Sequence, residues 1–458
     1  MVEYPVKIIA LGGASDIGGS CFYLRLGETG IIFDCGIHPR KKGKESIPDL
    51  ESLENEPIDF VFISHAHQDH IGALPYLIKK FPHIKIFSTP QTKELASLVL
   101  HNSSKILKKE LGTKSELKPY ELEEVDLLVQ SITEYYYNEP FILNSIKNFD
   151  EEITVTFYDA GHVLGSVSIL IGWKGKNIFY SGDVNNSPQS LMNGSKIPKM
   201  NTDLSFIETT YGSQNNDEAQ SWDETSKLFA KDINQVINRG GSLLIPVFSL
   251  GKFQEILLLI HNLMESGLVG LTNIYTHGLG KSLSKIYDSN RYLVNRNYKD
   301  VKLKDIPQIR ISEIRNLSRL LSNPGIILAS SGMMIKNTVS NEIAQFFLSN
   351  EKFAIFSVGY MDPETQGYRV MNAAKGDKIA LNGNNPVKVL CTLKKFSFAS
   401  HSSRKEIVSL IKKVNPKNLI LIHGEEQSIK NIGSDVLEKY RHIKVYAPSL
   451  GDSIILTI

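Results

Sequence analysis

Short apolar runs separated by glycine and serine dominate the first part of the chain. Runs at residues 6–11, 21–26 and 31–33 are joined by glycine turns, a pattern typical of strands in a meander. A further apolar run at 58–63 leads directly into a polar segment rich in histidine. Beyond it, segments of helical spacing, among them a long stretch at 95–127, alternate with strand-like runs. This alternation predicts an α/β layered fold.

The pattern changes near residue 218. Helical spacing to about residue 238 is followed by alternating strands and helices, with strands predicted at 242–248, 273–276 and 325–329. Strands that alternate with helices in this way favour a parallel sheet. From residue 387 onward the short strands return. The region with the parallel-sheet pattern therefore looks like an insert in the region of short strands.

The composition limits the classes of protein to which the chain can belong. Its 458 residues are 41% hydrophobic and 22% charged, which excludes wholesale disorder. Lysine and arginine number 51 against 49 acidic residues, a net charge of +2. This balance excludes a basic nucleic-acid-coating protein and an acidic solvating chain. Three cysteines are too few for a disulfide scaffold.

Two features bear on the location of the protein. The N-terminal sequence reads as a strand entering a glycine turn, without the long apolar segment of a signal peptide. No apolar run approaches the roughly 20 residues that a membrane-spanning helix requires. We therefore expect a cytoplasmic protein with no membrane partner.

The polar segment after the run at 58–63 reads His65-Ala-His67-Gln-Asp69-His70. On an extended segment side-chain direction repeats every two residues, so His65 and His67 point the same way. Asp69 and His70 fall where a helix is predicted to begin and can face elsewhere. Imidazole nitrogens and carboxylate oxygens are ligands that Zn²⁺ accepts. The segment therefore has ligands for two adjacent metal ions, whereas a solvated histidine-rich loop would not need to follow a buried strand.

Two metal ions need more ligands, and three downstream residues qualify. His162, Asp183 and His423 each lie at the end of an apolar run beside a glycine, which lets the backbone approach a crowded centre. Taken alone, each is more readily a structural residue at a strand end. Together with the histidine-rich segment they complete a ligand set.

These residues lie within longer motifs that are specific as a group. In chain order the motifs are Asp34-Cys-Gly-Ile-His-Pro, Ile63-Ser-His-Ala-His-Gln-Asp-His-Ile-Gly-Ala-Leu-Pro, Gly161-His162, Gly182-Asp183, Ile207-Glu-Thr-Thr-Tyr-Gly, Pro246-Val-Phe-Ser-Leu-Gly-Lys-Phe-Gln-Glu, Ala329-Ser-Ser-Gly-Met, Gly359-Tyr, Thr365-Gln-Gly-Tyr-Arg, His401 and His423. With them the chain resembles, over essentially its whole length, the metallo-β-lactamase-fold nucleases of the β-CASP group. That group includes the endonuclease subunit of the cleavage and polyadenylation machinery and its bacterial and archaeal relatives.

The resemblance implies a fold and a division of the chain. We expect a metallo-β-lactamase αββα sandwich with an inserted β-CASP domain of α/β type built on a parallel sheet. Residues 1–209 would form the first part of the metallo-β-lactamase domain, 210–385 the β-CASP domain, and 386–458 the returning part that supplies His423.

The resemblance also implies a role for each ligand of two Zn²⁺ ions. One ion would be held by His65, His67 and His162. The other would be held by Asp69, His70 and His423. Asp183 would bridge the two ions. Asp34 would lie outside the ligands and orient their loop, although without the family it reads equally well as a turn or cap residue.

The implied reaction is the hydrolysis of a phosphodiester bond. Two divalent ions about 3.5–4 Å apart activate a hydroxide and stabilise the attacking and leaving oxygens of an in-line displacement. The catalytic residues implied by the resemblance are Asp69, Glu208 and His401. His401 would protonate the leaving oxygen, and Glu208 would orient it or keep it protonated. Without the family Glu208 reads as an ordinary acid at a strand end.

Two further positions qualify this prediction. The family usually has an aspartate two residues after the general-acid histidine, where this chain has Ser403, which leaves the rate and the pH optimum open. A histidine at the position of His423 is typical of the RNA-processing branch and usually absent from the DNA-processing branch. We therefore predict a zinc-dependent ribonuclease, and an endonuclease for single-stranded RNA because the long C-terminal extension of exonuclease-type relatives is missing.

Three alternatives stay open at this point. The chain could be a 5′-to-3′ exoribonuclease of the same family, since both activities use the same metal centre. It could be a scaffold subunit that binds RNA or a processing partner without cutting. It could also be a small-molecule hydrolase or a DNA nuclease, against which the insert and His423 speak. Targeting would come from a homodimer or from an RNA-processing partner protein.

RNA binding must rest on local charge, because phosphate contacts usually dominate affinity. Residues 281–319 carry ten cations against four acids, although a solvated helix face explains them equally well. Lys252, Ser331 and Gly332 lie at predicted strand-to-helix junctions, where backbone N–H groups can bind a phosphate, or which are plain loops. Arg369 is a further candidate for a bidentate phosphate contact.

Overall fold

The computed structural model describes residues 2–110, 117–148, 151–214, 221–311 and 323–458. The chain forms two compact units. The first unit comprises Met1–Ser187, Gly194–Glu218 and His401–Ile458, and the second comprises Pro188–Asn193 and Ala219–Ser400. The chain thus leaves the first unit and returns to it. The segment limits after residues 209 and 385 stay predictions.

In the described residues, the first unit contains two sheets of seven strands each. The strands of the first sheet are β1 (Pro5–Gly12), β2 (Cys21–Leu26), β3 (Thr29–Phe33), β4 (Phe60–Phe62), β5 (Lys85–Ser88), β6 (Ile132–Glu134) and β22 (Ser453–Thr457), in the order β22-β1-β2-β3-β4-β5-β6. Those of the second sheet are β7 (Phe141–Asn144), β8 (Glu152–Asp159), β9 (Val167–Trp173), β10 (Lys176–Tyr180), β11 (Thr202–Glu208), β20 (Pro416–Ile422) and β21 (Lys444–Tyr446), in the order β21-β20-β11-β10-β9-β8-β7. The returning segment therefore adds strands to both sheets.

The two sheets pack face to face through aromatic side chains. Phe33 of β3 stacks on Tyr180 of β10 with ring centroids 4.5 Å apart, and it contacts Phe206 of β11 at 5.7 Å. Phe62 of β4 meets Phe157 of β8 edge to face at 6.3 Å. All five side chains are buried, and burying a phenylalanine contributes about 1.5–3 kcal/mol. This core fixes the strand ends from which the polar residues of the site project.

Helices cover the outer faces of the sandwich. The helices of the first unit are α1 (Gln68–Ile71), α2 (Leu74–Lys80), α3 (Pro90–Glu110), α4 (Leu122–Ser131), α10 (Arg404–Val414) and α11 (Glu426–Lys439). Ile407 and Ile411 of α10 and Ile429 of α11 pack on the second sheet against Leu419 and Leu421 of β20. On the first sheet α3 contacts β6. The predicted αββα sandwich is confirmed.

The second unit is built on a sheet of six parallel strands. Its strands are β12 (Leu243–Pro246), β13 (Asn273–His277), β14 (Ile309–Arg310), β15 (Gly325–Ala329), β16 (Ala354–Ser357) and β19 (Thr392–Lys395), in the order β14-β13-β15-β12-β16-β19, with a small antiparallel pair β17 (Lys378–Ile379) and β18 (Val387–Lys388) beside it. The described helices are α5 (Trp222–Asn238), α6 (Lys252–Glu265), α7 (Gly280–Ser289), α8 (Val339–Leu348) and α9 (Gln366–Met371). The predicted parallel-sheet insert is confirmed.

The long helical stretch predicted at 95–127 is two helices. Helix α3 already begins at Pro90 and runs to Glu110, and α4 begins at Leu122. Glu121 and Glu124 form a capping box that starts α4, a local signal that the apolar spacing alone does not carry. Residues 111–116 lie outside the described residues. Among the helices that the structure does describe, none has the length and apolar character to cross a bilayer.

Candidate metal centre

The histidine-rich segment connects β4 to α1 and lies at the carboxyl end of a buried strand. His65 is fully buried, and His67 is the cap residue from which α1 begins. The Nε2 atom of His65 lies 3.0 Å from Nδ1 of His67. Burial lowers the pKa of His65 well below its ordinary value, and the neighbouring imidazole of His70 adds to this effect. A neutral imidazole is the form that binds a metal ion.

A first donor group is formed by four residues from three separate parts of the chain. The Nε2 atom of His162 lies 3.2 Å from Nδ1 of His67. Asp183 approaches with Oδ2 at 3.6 Å from Nε2 of His65 and 3.7 Å from Nε2 of His162. The members are His65, His67, His162 and Asp183, with one donor atom from each within 4.8 Å of the others.

A second donor group lies beside the first. It consists of Asp69, His70 and His423, again with donor atoms within 4.8 Å of one another. The Oδ2 atom of Asp69 is 3.6 Å from Nε2 of His423 and 3.9 Å from Nε2 of His70. His423 follows β20 in a left-handed backbone conformation with φ of 47°. That turn brings the returning end of the chain to residues near its start.

Asp183 lies between the two donor groups. Its Oδ2 atom is 3.4 Å from Nε2 of His70, and its Oδ1 atom is 3.3 Å from Nδ1 of His423. Burial alone would raise the pKa of Asp183, but His423 and His70 hold it well below its ordinary value. Gly182 precedes it with φ of 56°, and a Cβ there would lie 2.8 Å from Cβ of Ser64. Only glycine therefore allows the strand end to come this close to the histidine-rich segment.

The donor groups fit metal ions by a structural criterion as well as by their chemistry. Three buried atoms of the donor groups accept or donate no hydrogen bond within the described part of the chain: Nε2 of His70, Oδ1 of Asp183 and Nε2 of His423. Leaving a buried polar group unsatisfied costs about 1–3 kcal/mol. Divalent cations would satisfy all three atoms. Nitrogen and carboxylate oxygen donors without thiolates suit Zn²⁺.

Asp34 supports this centre from a fully buried position. Its Oδ2 atom lies 2.8 Å from Nδ1 of His70 and accepts hydrogen bonds from the hydroxyls of Ser64 and Tyr180, both at 2.7 Å. Its Oδ1 atom accepts the backbone N–H of Ser64 at 2.7 Å. The carboxylate of Asp34, together with Asp183, raises the pKa of His70 against the opposing effect of burial. With Nδ1 so engaged, Nε2 of His70 is left to face Asp183.

The rest of the Asp34 motif holds the start of α1. The backbone N–H of Cys35 donates to the carbonyl of His70 at 2.7 Å, and that of Ile37 donates to Gln68 at 3.1 Å. A Cβ at Gly36 would lie 1.7 Å from the carbonyl oxygen of Asp69. The motif thus packs backbone against backbone on the segment that carries the second donor group.

Glu208 and His401 meet beside the donor groups, although 193 positions separate them in the chain. Oε1 of Glu208 lies 3.0 Å from Nδ1 of His401 and also accepts the backbone N–H of Val184 at 3.0 Å. Oε2 accepts the N–H of Thr210 at 2.9 Å. Glu208 is fully buried, whereas the side chain of His401 keeps 15% exposure. The ring of His401 lies 4.5 Å from that of His162.

Ser403, where the family resemblance predicts aspartate, is the cap residue from which α10 begins. Its N–H and hydroxyl both donate to Oε2 of Glu406 at 2.8 Å, which forms a capping box. Serine and aspartate are both favourable at a helix N-cap. The departure from the family pattern is therefore accommodated by an ordinary helix start.

Three residues of the centre are absent from the sequence prediction. Ser64 and Tyr180 hold Asp34, and the hydroxyl of Thr210 lies 3.1 Å from Nδ1 of His423. Each lies within or next to a motif that the prediction used. Its position beside a predicted residue was therefore the signal that the sequence offered. Their roles depend on contacts between distant segments, which sequence spacing does not reveal.

The residues predicted to bind phosphate lie in the second unit. Lys252 is buried, and its ammonium group donates to the carbonyl of Phe398. The hydroxyl of Ser331 accepts the N–H of Ile335 at 3.1 Å, Gly332 is buried, and Arg369 is exposed on α9. Phosphate binding by these four residues stays a prediction.

Only some of the basic side chains at 281–319 are exposed. Arg296 is buried, and its guanidinium donates to four backbone carbonyls, those of Tyr287, Asn297, Tyr298 and Val301. Lys285, Lys299 and Arg310 are exposed. Arg315, Arg319 and Glu313 lie outside the described residues. Contact between this segment and RNA stays a prediction.

Family models match most of the sequence in three consecutive parts. Residues 23–209 match the metallo-beta-lactamase superfamily domain, and residues 253–370 match the Beta-Casp domain. Residues 386–448 match the Zn-dependent metallo-hydrolase RNA specificity domain. The order of these parts agrees with the two-unit structure, in which the first unit is resumed at His401.

Curated relatives match along nearly the whole chain. Probable RNase MJ4 of Methanocaldococcus jannaschii is 29% identical over 98% of this chain and 100% of its own length. Cleavage and polyadenylation specificity factor subunit 3 of Dictyostelium discoideum is 27% identical over 98% of this chain and 57% of its own length. Endoribonuclease YSH1 of Yarrowia lipolytica is 28% identical over 96% of this chain and 52% of its own length. The chain thus spans little more than half of the two eukaryotic relatives.

Proposed function

Because the chain belongs to the β-CASP group of metallo-β-lactamase-fold hydrolases, we propose that it is a zinc-dependent ribonuclease that cuts single-stranded RNA internally. The observation that carries the proposal is the pair of donor groups that share Asp183, with buried atoms of His70, Asp183 and His423 left without hydrogen bonds. The match to an RNA specificity domain and the name of the Methanocaldococcus relative support RNA as the substrate.

Seven residues would hold two zinc ions. His65, His67 and His162 would bind the first ion, Asp69, His70 and His423 the second, and Asp183 both. When bound, the two ions supply an activated water and stabilise negative charge on the reacting phosphate. Other residues of the protein orient these ligands. Asp34 engages Nδ1 of His70 and Thr210 engages Nδ1 of His423, so that Nε2 of each ring would be the atom that holds an ion.

In this proposal, His401 protonates the leaving oxygen. Glu208 accepts a hydrogen bond at Nδ1 of His401, so Nε2 is the atom that would carry the transferred proton. The carboxylate is itself held by the backbone N–H groups of Val184 and Thr210. This arrangement fixes the ring orientation before the substrate binds, as general acid catalysis requires.

Internal cleavage is the finer part of the proposal, and the name of the Yarrowia relative supports it. The test uses a circular single-stranded RNA and a 5′-labelled linear RNA of the same sequence. We expect zinc-loaded protein to linearise the circle and to release internal fragments from the linear RNA. Stepwise loss of 5′ nucleotides with an intact circle would instead establish the 5′-to-3′ exoribonuclease.

The same assay distinguishes a nuclease from a scaffold protein that binds RNA without cutting it. A protein that binds both RNAs, contains zinc and leaves both intact would be a non-cleaving scaffold, and the proposal would be wrong. DNA of equal sequence serves as the substrate control, and we expect it to stay uncut. We further propose that the chain works as a homodimer or with an RNA-processing partner protein in the cytoplasm.

A further inference from the structure

A short stretch of the long connection between β3 and β4 concentrates positive charge in the first unit. Residues 40–44, the lysine loop, read Arg-Lys-Lys-Gly-Lys and hold four cations in five positions, followed by the exposed Glu45. All three lysines of the loop are exposed. A Cβ on Gly43 would meet no atom within 4 Å, so this part of the loop faces open space. The whole chain has a net charge of only +2, and the lysine loop is therefore a local concentration of charge.

His38 holds the base of the lysine loop from a buried position. Its backbone N–H donates to the carbonyl of Ser46 at 2.7 Å, which closes the loop. Its Nδ1 atom accepts the backbone N–H groups of Arg40 at 3.2 Å and Lys41 at 3.3 Å. The ring proton is therefore on Nε2, which donates to Oδ2 of Asp16 at 2.8 Å. The loop thus has a defined course over its first residues.

Asp16 binds the first side chain of the lysine loop as well as His38. Its Oδ1 atom accepts a hydrogen bond from the guanidinium of Arg40. Burial alone would raise the pKa of Asp16, but the hydrogen bond from His38 and the charge of Arg40 lower it to about 2. Asp16 is therefore charged at neutral pH and pairs with Arg40 within the unit. Lys41 and Lys42 are the consecutive exposed cations that follow this pair.

Gly18 lies between the start of the lysine loop and the second donor group. A Cβ on Gly18 would lie 2.5 Å from Cδ of Pro39 and 3.7 Å from Cβ of Asp69. Pro39 directly precedes the lysine loop, and Asp69 belongs to the second donor group. The backbone N–H of Ser20 also donates to the carbonyl of Asp69 at 2.8 Å. All of these residues belong to the first unit, so contacts within that unit alone place the loop beside the donor groups.

We propose that Lys41 and Lys42 bind phosphates of the RNA strand next to the phosphate that is cleaved. The proposal deepens the ribonuclease function and rests on it. Phosphate contacts supply much of the affinity of a protein for RNA, and a chain of nearly balanced charge must make them locally. Lysine contacts to phosphates carry no base preference. The loop would therefore hold a single strand across the donor groups without selecting its sequence.

RNA binding at several salt concentrations tests the proposal. The variant is Lys41→Met/Lys42→Met, and the probe is a labelled single-stranded RNA bound to zinc-loaded protein that also carries His401→Ala to slow cleavage. Relative to protein with His401→Ala alone, we expect Kd at about 0.1 M salt to rise by about 10-fold. The slope of log Kd against log salt concentration should fall by about 1.4, since each phosphate contact on a single strand contributes about 0.7.

Cleavage kinetics with His401 present separate binding from chemistry. On RNA, we expect Lys41→Met/Lys42→Met to raise KM by about 10-fold and to change kcat by less than about 2-fold, because the contacts are made before and during the reaction alike. Bis(p-nitrophenyl) phosphate has no neighbouring phosphates, so its hydrolysis should not change.

Lys412→Met/Lys413→Met is the matched control. These two lysines are also consecutive, exposed and in the first unit, and their removal changes the net charge by the same amount. They end α10 just before β20 begins at Pro416, whereas His423 follows the other end of that strand. The control should therefore keep the Kd and the salt dependence of the parent protein. Lys41→Arg/Lys42→Arg, which keeps both charges, should do the same, and thermal unfolding identifies any variant that fails to fold.

Three results would overturn the assignment. The Kd and its salt dependence could stay unchanged in Lys41→Met/Lys42→Met, they could change equally in the control, or hydrolysis of bis(p-nitrophenyl) phosphate could fall as much as RNA cleavage. These outcomes differ from failure of the proposed function. In that case the wild-type protein leaves RNA intact, while the binding measurement still reports whether the lysine loop contacts the strand.

Discussion

The donor groups of the first unit and the basic segment of the second unit both contain side chains that could act on or bind a phosphodiester. They differ in whether their buried polar atoms have hydrogen-bond partners. In the donor groups, three polar atoms are buried without hydrogen bonds. In the basic segment, the buried Arg296 is fully engaged by four carbonyls of its own unit. Unsatisfied buried atoms fit a ligand here because they face one another within one cluster of histidines and carboxylates, whereas Arg296 has a structural role because carbonyls of its own unit bind it. A count of charges along the sequence does not separate these two cases.

Removing the residue shared by the donor groups should have the largest effect. We expect Asp183→Asn to lower kcat for RNA by on the order of 10³-fold or more, since both proposed metal sites would lose a ligand. Zinc content, measured by elemental analysis, should fall at the same time. Asp203→Asn is the matched control, because Asp203 is a largely buried carboxylate paired with Lys417 at 2.8 Å. Equal losses in both variants would mean that a buried carboxylate matters only for folding.

Removing the proposed proton donor should lower activity less and should not affect metal binding. We expect His401→Ala to lower kcat for RNA by roughly 10²- to 10⁴-fold with unchanged zinc content. With bis(p-nitrophenyl) phosphate, whose leaving group needs no proton, the loss should be much smaller. His442→Ala, which removes a ring bound to Asn415 outside the centre, should behave as wild type. A loss of equal size on both substrates would contradict the general-acid role.

Removing the support of a ligand should weaken the metal site by a smaller factor. Asp34→Asn is expected to lower zinc affinity by about 10- to 100-fold, because His70 loses the partner that orients its ring. Tyr180→Phe removes only one of the hydrogen bonds to Asp34 and should have a smaller effect. Competition with a chelator measures both affinities. An Asp34→Asn protein with the wild-type affinity would show that the ring needs no such partner.

The smallest effect concerns the basic segment itself. We expect Arg296→Met to lower the free energy of unfolding by about 1–3 kcal/mol, since the carbonyls bound by the guanidinium lose their donor. Lys299→Met, at an exposed position, should change it by less than about 0.5 kcal/mol. Chemical denaturation compares the two. Similar losses would remove the distinction drawn between a structural cation and a surface cation.

The residues of the two donor groups could be predicted to lie together because four of them lie within six residues and the others end apolar strands. Side-chain alternation separated His65 and His67 from Asp69 and His70 into the two groups that the structure contains. The pairing of Glu208 with His401 came only from the family resemblance, because 193 positions separate them. The sequence did not predict Ser64, Tyr180 and Thr210, because the hydrogen bonds of a hydroxyl depend on the residues that folding brings beside it. The burial of Lys252 and Arg296 likewise depends on packing between segments distant in the chain.

Cleavage of a circular RNA by metal-free protein titrated with zinc tests the central claim most directly. We expect no cleavage without metal, and activity that rises to a plateau at about two zinc ions per chain, as two sites sharing one bridging ligand require. Cleavage by the metal-free protein, or an intact circle at every zinc concentration, would contradict the account.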